Sequence, residues 1–124
     1  MGHVLYLDDE QALVFLVSSA VTRLGHRVSG FTSAPEALEA FRRHPQDFDL
    51  VLTDMSMYGM SGLEFAQEVL HIEPLATVVI ATGCEDPNWA DYARASGVRE
   101  VIEKPTTIDA MAKAISGLLS GLRL

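Results

Sequence analysis

The sequence predicts an α/β fold, a parallel sheet with helices covering both of its faces. Three observations carry that prediction. Short β-rich runs alternate with helix-patterned stretches five times along the chain. Most of the runs are near-continuously apolar, as parallel strands buried on both sides require. Capping and stop residues punctuate the helical stretches. Alternation of this kind implies right-handed crossovers between parallel strands.

Taken in order, the first run is Val4-Leu5-Tyr6-Leu7. Leu13, Leu16, Val17, Ala20, Val21 and Leu24 then lie on one helical stripe, and Gly25 follows as a stop. Val28-Ser29-Gly30-Phe31 is the second strand. Ser33 and Glu36 form a capping-box pair ahead of Leu38 and Phe41. The third strand is Leu50-Val51-Leu52-Thr53, followed by a second such pair, Ser61 and Glu64, ahead of Ala66, Val69 and Leu70. Val78-Val79-Ile80-Ala81 is the fourth strand. Asp86-Pro87 opens the next helix and Gly97 closes it. Val101-Ile102 is the fifth strand, and Ile108, Met111, Ala112, Ile115 and Leu119 stripe the last helix.

The 124 residues are expected to form one domain over 1–124, and 48% hydrophobic content suits a compact globule. The apolar runs are about strand length, too short to span a bilayer. No basic-then-apolar leader opens the chain, so no secretory signal is expected. Met1-Gly2 does not make a myristoylation motif, because Tyr6 stands where Ser or Thr is wanted. The single Cys84 excludes an internal disulfide and a cysteine-rich metal site, which makes a reducing, cytoplasmic setting the default. Nine basic against seventeen acidic residues give a formal charge of −8. That balance disfavours nucleic acid and anionic membranes as partners. Most of the acidity is expected to serve solubility.

In parallel α/β sheets the ligand site lies beyond the carboxyl ends of the strands, at a switch in strand order. The first strand runs into Asp8-Asp9-Glu10 and the third into Asp54. The fourth ends in Thr82-Gly83 and the fifth in Lys104-Pro105. An acid after a strand is most often a helix cap, and a lone Lys before Pro means little. Their joint arrival at one edge is harder to dismiss. Gathered carboxylates repel unless a cation joins them. Oxygen-only ligands suit magnesium, which keeps several waters. A carboxylate can also be a nucleophile that forms an aspartyl phosphate. The oxygens of that group would need positive charge and hydrogen-bond donors, which magnesium, Lys104 and the Thr82 hydroxyl can supply.

VLYLDDE, LVLTDMSMYGMSG, VVIATG and VIEKP together resemble the receiver domain of bacterial response regulators, over essentially the whole chain. The resemblance implies a doubly wound, flavodoxin-like five-stranded parallel sheet in order 2-1-3-4-5 with five helices. It implies that Asp54 accepts a phosphoryl group from a histidine kinase or phosphotransfer domain. Magnesium or manganese would be held directly by Asp9 and Asp54, largely through water by Asp8, and by the Ser56 carbonyl. Thr82 would be the switch hydroxyl and Lys104 the phosphate partner. Such a chain is a signalling phosphoacceptor rather than an enzyme acting on outside substrates. It would pass its state to a partner or to a tethered output or kinase domain. The stretch GHRVSGFTSAPEALEAF looks like receivers attached to sensor kinases.

Four positions depart from the family pattern. Tyr58 stands where Pro is common, Thr106 where Phe follows Lys-Pro, and Gly83 where Ala is commoner. Val101 stands where an aromatic side chain often turns inward on activation. None removes a chemical group from the acidic pocket, so they bear on readout. The competing readings are an aspartyl-phosphate phosphatase, a nucleotide-binding module and a degenerate receiver used as a binding platform. Ser56 stands where the first would need a second acid. No P-loop or G-x-G-x-x-G supports the second. The intact Asp8, Asp9, Asp54, Thr82 and Lys104 set speaks against the third.

His3, His26, His44 and His71 share no metal spacing and are expected at the surface. Met55, Met57 and Met60 are expected to pack around the acceptor loop. Cys84 is expected to be an inert small residue near the pocket mouth. Trp89 suits packing and partner anchoring equally.

Overall fold

The computed structural model describes residues 2–83 and 87–121. Its strands are β1 (His3–Leu7), β2 (Arg27–Phe31), β3 (Leu50–Asp54), β4 (Val78–Thr82) and β5 (Glu100–Glu103). Its helices are α1 (Gln11–Arg23), α2 (Ala34–Arg43), α3 (Gly62–Ile72), α4 (Pro87–Ala95) and α5 (Ile108–Gly121). All strands are parallel, in the order β2-β1-β3-β4-β5. The three inner strands are buried along their whole length, which is why they read as unbroken apolar runs. Edge strands β2 and β5 are half-exposed, and their polar residues fall there.

Alternation along the strands divides the core in two. Leu5, Leu7, Val51, Val78 and Ile80 face α2, α3 and α4. Val4, Tyr6, Leu50, Leu52, Val79 and Ala81 face α1 and α5. Met55, Met57, Met60 and Trp89 pack partly buried against the first of these cores, so the methionines fill space as expected and Trp89 serves packing.

Helix starts follow the caps. Ser61 and Glu64 form a complete reciprocal box at α3, and at α2 the Ser33 hydroxyl accepts from the Glu36 amide at 3.4 Å. Gly97 takes φ +108° after α4, a conformation that a side chain would strain. Cys84 and Asp86 lie outside the described residues.

Two expectations are corrected. On α1 the buried positions are Val14, Val17 and Val21, whereas Leu16 and Leu24 are about half exposed. The apolar residues of this helix cover more than one face, so composition alone did not fix its rotation. His3 is buried rather than superficial. Its ring lies against Phe48 and bonds the Ser29 hydroxyl at 2.7 Å and the Asp47 carbonyl at 3.1 Å. His26 is half-buried, while His44 and His71 are exposed.

Candidate functional site

The strand order reverses between β1 and β3: the chain leaves β1 for β2 on one side and returns to β3 on the other. A crevice opens at such a point beyond the strand ends. Leu7 pairs with Thr53, so the next residues, Asp8 and Asp54, arrive side by side. Lys104 follows directly after β5, whose Glu103 pairs with Thr82, and its side chain reaches back across β4 to both carboxylates.

Asp8 is fully buried. Its Oδ1 accepts from the Glu10 amide at 3.0 Å. Its Oδ2 accepts from Lys104 Nζ at 3.0 Å and from the Tyr6 hydroxyl at 3.4 Å. The same ammonium lies 3.2 Å from Asp54 Oδ2. Asp9 is exposed, and its Oδ2 accepts from the Tyr58 amide at 3.2 Å, which ties the loop after β3 to the end of β1. Burial pushes the Asp54 carboxyl above its ordinary value; Lys104 pulls it down, and Asp8 and Asp9 push it up again. Burial pulls the Lys104 ammonium down, but the carboxylates of Asp8 and Asp54 outweigh this and hold it above its ordinary value. The Tyr6 hydroxyl is raised by burial and then by the neighbouring Asp8 and Asp54.

One carboxylate oxygen each from Asp8, Asp9 and Asp54 lie within 4.8 Å of one another. An octahedral magnesium shell is about 4.2 Å across, from metal–oxygen bonds of about 2.1 Å. The donor set is all oxygen and excess negative, and one member faces solvent, so it fits a hard divalent cation that keeps part of its water. Lys104 is the positive charge the chain itself places among these acids.

Thr82 is buried at the end of β4, one residue past Ala81, which pairs with Asp54. Ser56 is exposed at the start of the loop after β3. Asp8, Asp9, Asp54 and Lys104 are therefore brought together, with Thr82 on the adjoining strand end.

Two residues of the site went unnoticed in the sequence. Tyr6 stands two positions before Asp8, on the same face of β1 by the two-residue period, so a polar-tipped aromatic there signals its hydroxyl contact. Gly62 opens α3 directly beneath Asp54. A Cβ on it would collide with the Asp54 carbonyl and lie 2.8 Å from Met55 Cα. A glycine in the first turn of a well-capped helix was the available signal.

A family profile described as the response regulator receiver domain matches residues 4–116. The transcriptional regulatory protein GlrR of Escherichia coli K12 is 31% identical over 118 residues, which cover 95% of this chain and 26% of that protein. The virulence sensor protein BvgS of Bordetella pertussis is 29% identical over 120 residues, 91% of this chain and 10% of that protein. The chain thus spans about a quarter or less of these curated relatives. Among solved structures, a response regulator receiver domain protein from Clostridium thermocellum superposes with a TM-score of 0.84 at 28% identity, covering 99% of this chain and 98% of that one. Chemotaxis protein CheY4 of Vibrio cholerae shares the fold, with a TM-score of 0.81 at 24% identity over 94% of this chain and 98% of that one.

Proposed function

The chain belongs to the response regulator receiver domain family, and from that premise we propose that it accepts a phosphoryl group on Asp54 from a histidine kinase or phosphotransfer domain. The observation that carries this reading is the Lys104 ammonium shared between Asp8 and Asp54, beside Asp9. A helix cap needs no such charge. A site built to receive a phosphoryl dianion does.

In the transfer, an Asp54 carboxylate oxygen attacks phosphorus in line with the phosphorus–nitrogen bond of the donor histidine. The P–N bond breaks and its electron pair stays on the imidazole, which leaves neutral because its other nitrogen carries a proton. Asp54 becomes a mixed anhydride. The Lys104 ammonium, already within reach, turns to the phosphoryl oxygens, and the Thr82 hydroxyl donates a further hydrogen bond. Asp9 and Asp54, with the Ser56 carbonyl and with Asp8 largely through water, would hold magnesium or manganese. Bound there, the cation supplies charge that offsets the incoming phosphoryl oxygens.

Ser56 offers no carboxylic acid to protonate a leaving group, which favours stoichiometric acceptance over turnover of outside substrates. The phosphorylated state would then be read by a partner or by a tethered output or kinase domain, in the cytoplasm. No helix among the described residues is long and apolar enough to cross a membrane.

Intact-mass analysis after incubation with acetyl phosphate and magnesium tests the assignment. One phosphoryl adduct is expected on the wild type and none on Asp54→Asn. Equal labelling of both would refute it.

A further inference from the structure

Lys104 serves two carboxylates at once, and acceptance of a phosphoryl group by Asp54 redirects it. Resting on that reading, we propose that Tyr6 is a positioning residue of the acceptor site. Its hydroxyl keeps hold of Asp8 Oδ2 when the Lys104 ammonium turns to the phosphoryl group, so that Asp8 stays oriented.

Asp8 is fully buried, and a buried carboxylate stripped of its charged donor is costly unless another donor replaces it. Oδ1 is already engaged by the Glu10 amide at 3.0 Å. Oδ2 has two donors, Lys104 Nζ at 3.0 Å and the Tyr6 hydroxyl at 3.4 Å. A hydroxyl–oxygen bond is ordinarily about 2.7–2.8 Å, so the tyrosine bond is long while the lysine is present. A phenol is a donor at neutral pH, and bonds of this kind tighten when the reacting complex forms.

The ring cannot drift away. Tyr6 is 1% exposed, and its strand is paired on both sides, to Gly30 in β2 and to Leu52 in β3. It sits in the core with Val4, Leu52 and Ala81. An aliphatic residue would suit that core equally well, and a buried hydroxyl without a partner would weaken it. The use of the hydroxyl is therefore its contact with Asp8.

Tyr6→Phe removes the hydroxyl and keeps the ring. Its thermal midpoint should stay within a few degrees of wild type. Its rate of Asp54 labelling by acetyl phosphate at saturating magnesium should fall about tenfold, the loss expected from one hydrogen bond to a charged group. In the Asp8→Asn background the same change should add nothing. A loss of equal size in that background would show that Tyr6 acts other than through Asp8, and would overturn the proposal. If the wild type is labelled on Asp54 and Tyr6→Phe keeps pace with it, the role of Tyr6 fails while the proposed function stands. If the wild type is not labelled on Asp54, both fail.

Should Tyr6→Phe not fold, 3-fluorotyrosine placed at position 6 decides the matter. Its fluorine resonance should move when beryllofluoride and magnesium are added, towards the position it already holds in Lys104→Ala. A resonance that ignores both changes would overturn the proposal.

Discussion

The Lys104 ammonium lies 3.2 Å from Asp54 Oδ2, with its side chain only about a quarter exposed. One strand, β4, stands between the strand ends that carry these residues, so the contact depends on a long side chain held over the sheet edge. An ammonium is a compact point charge on a flexible stem, suited to follow charge from the carboxylate to a phosphoryl oxygen.

Lys104→Ala should therefore fold yet phosphorylate poorly. The rate of labelling should drop about a hundredfold, the cost of removing one preorganised donor from developing charge. Circular dichroism establishes folding and intact mass follows labelling. A folded variant labelled at the wild-type rate would remove Lys104 from the chemistry.

Magnesium should stabilise the chain by mass action, since the Asp8, Asp9 and Asp54 cluster exists only in the folded state. At a hundred times the dissociation constant the gain is about 2.7 kcal/mol, which for a domain of this size raises the melting point on the order of 10 °C. Asp9→Ala should lose most of that shift while changing the metal-free melt little, because Asp9 is exposed. Melts across a magnesium series check both statements. An undiminished shift in the variant would exclude Asp9 from the cation site.

Gly62 and Gly83 make opposite predictions although both flank the pocket. A side chain on Gly62 meets backbone of Asp54 and Met55, which cannot yield as a side-chain tip would. Gly62→Ala should destabilise by about 1–3 kcal/mol and slow labelling of the displaced acceptor. Among the described residues nothing lies within 4 Å of a Cβ at Gly83, so Gly83→Ala should stay within about 0.5 kcal/mol of wild type. Urea titrations of the two variants make the comparison.

Much of this arrangement was legible in the sequence because its parts are local. Each of Asp8, Asp54, Thr82 and Lys104 stands at or directly after the end of a strand, and parallel strands bring such ends to one edge. What was not legible depends on contacts between distant segments. The partners of His3 come from β2, from the Pro45–Asp47 turn and from Phe48, and no spacing rule relates them. The rotation of α1 was misread because Leu16 is as apolar as Val14, and only docking against the sheet and α5 chooses between them. The constraint on Gly62 is set by the backbone of the preceding strand end and leaves no periodic trace.

The readout of phosphorylation should differ from that of receivers with an aromatic residue on the fifth strand. Val101 pairs with Ile80 of β4 and packs, half-buried, against the core shared with α2, α3 and α4. A valine is stiff at χ1 and has no ring to swing between buried and exposed positions. Backbone coupling is nevertheless present, because the Thr82 carbonyl accepts from the Lys104 amide at 2.8 Å. Movement of Lys104 and Thr82 towards a phosphoryl group therefore pulls on the ends of β4 and β5 rather than on the middle of β5. A modification shifts such an equilibrium only through what it contacts differently in the two states. Those differential contacts lie at Thr82 and Lys104, at the ends of β4 and β5. Amide chemical shifts recorded with and without beryllofluoride should change most from Thr82 into α4 and around Lys104, and little at Val101. Large changes centred on Val101, with a quiet segment after Thr82, would show that strand β5 carries the signal without an aromatic switch.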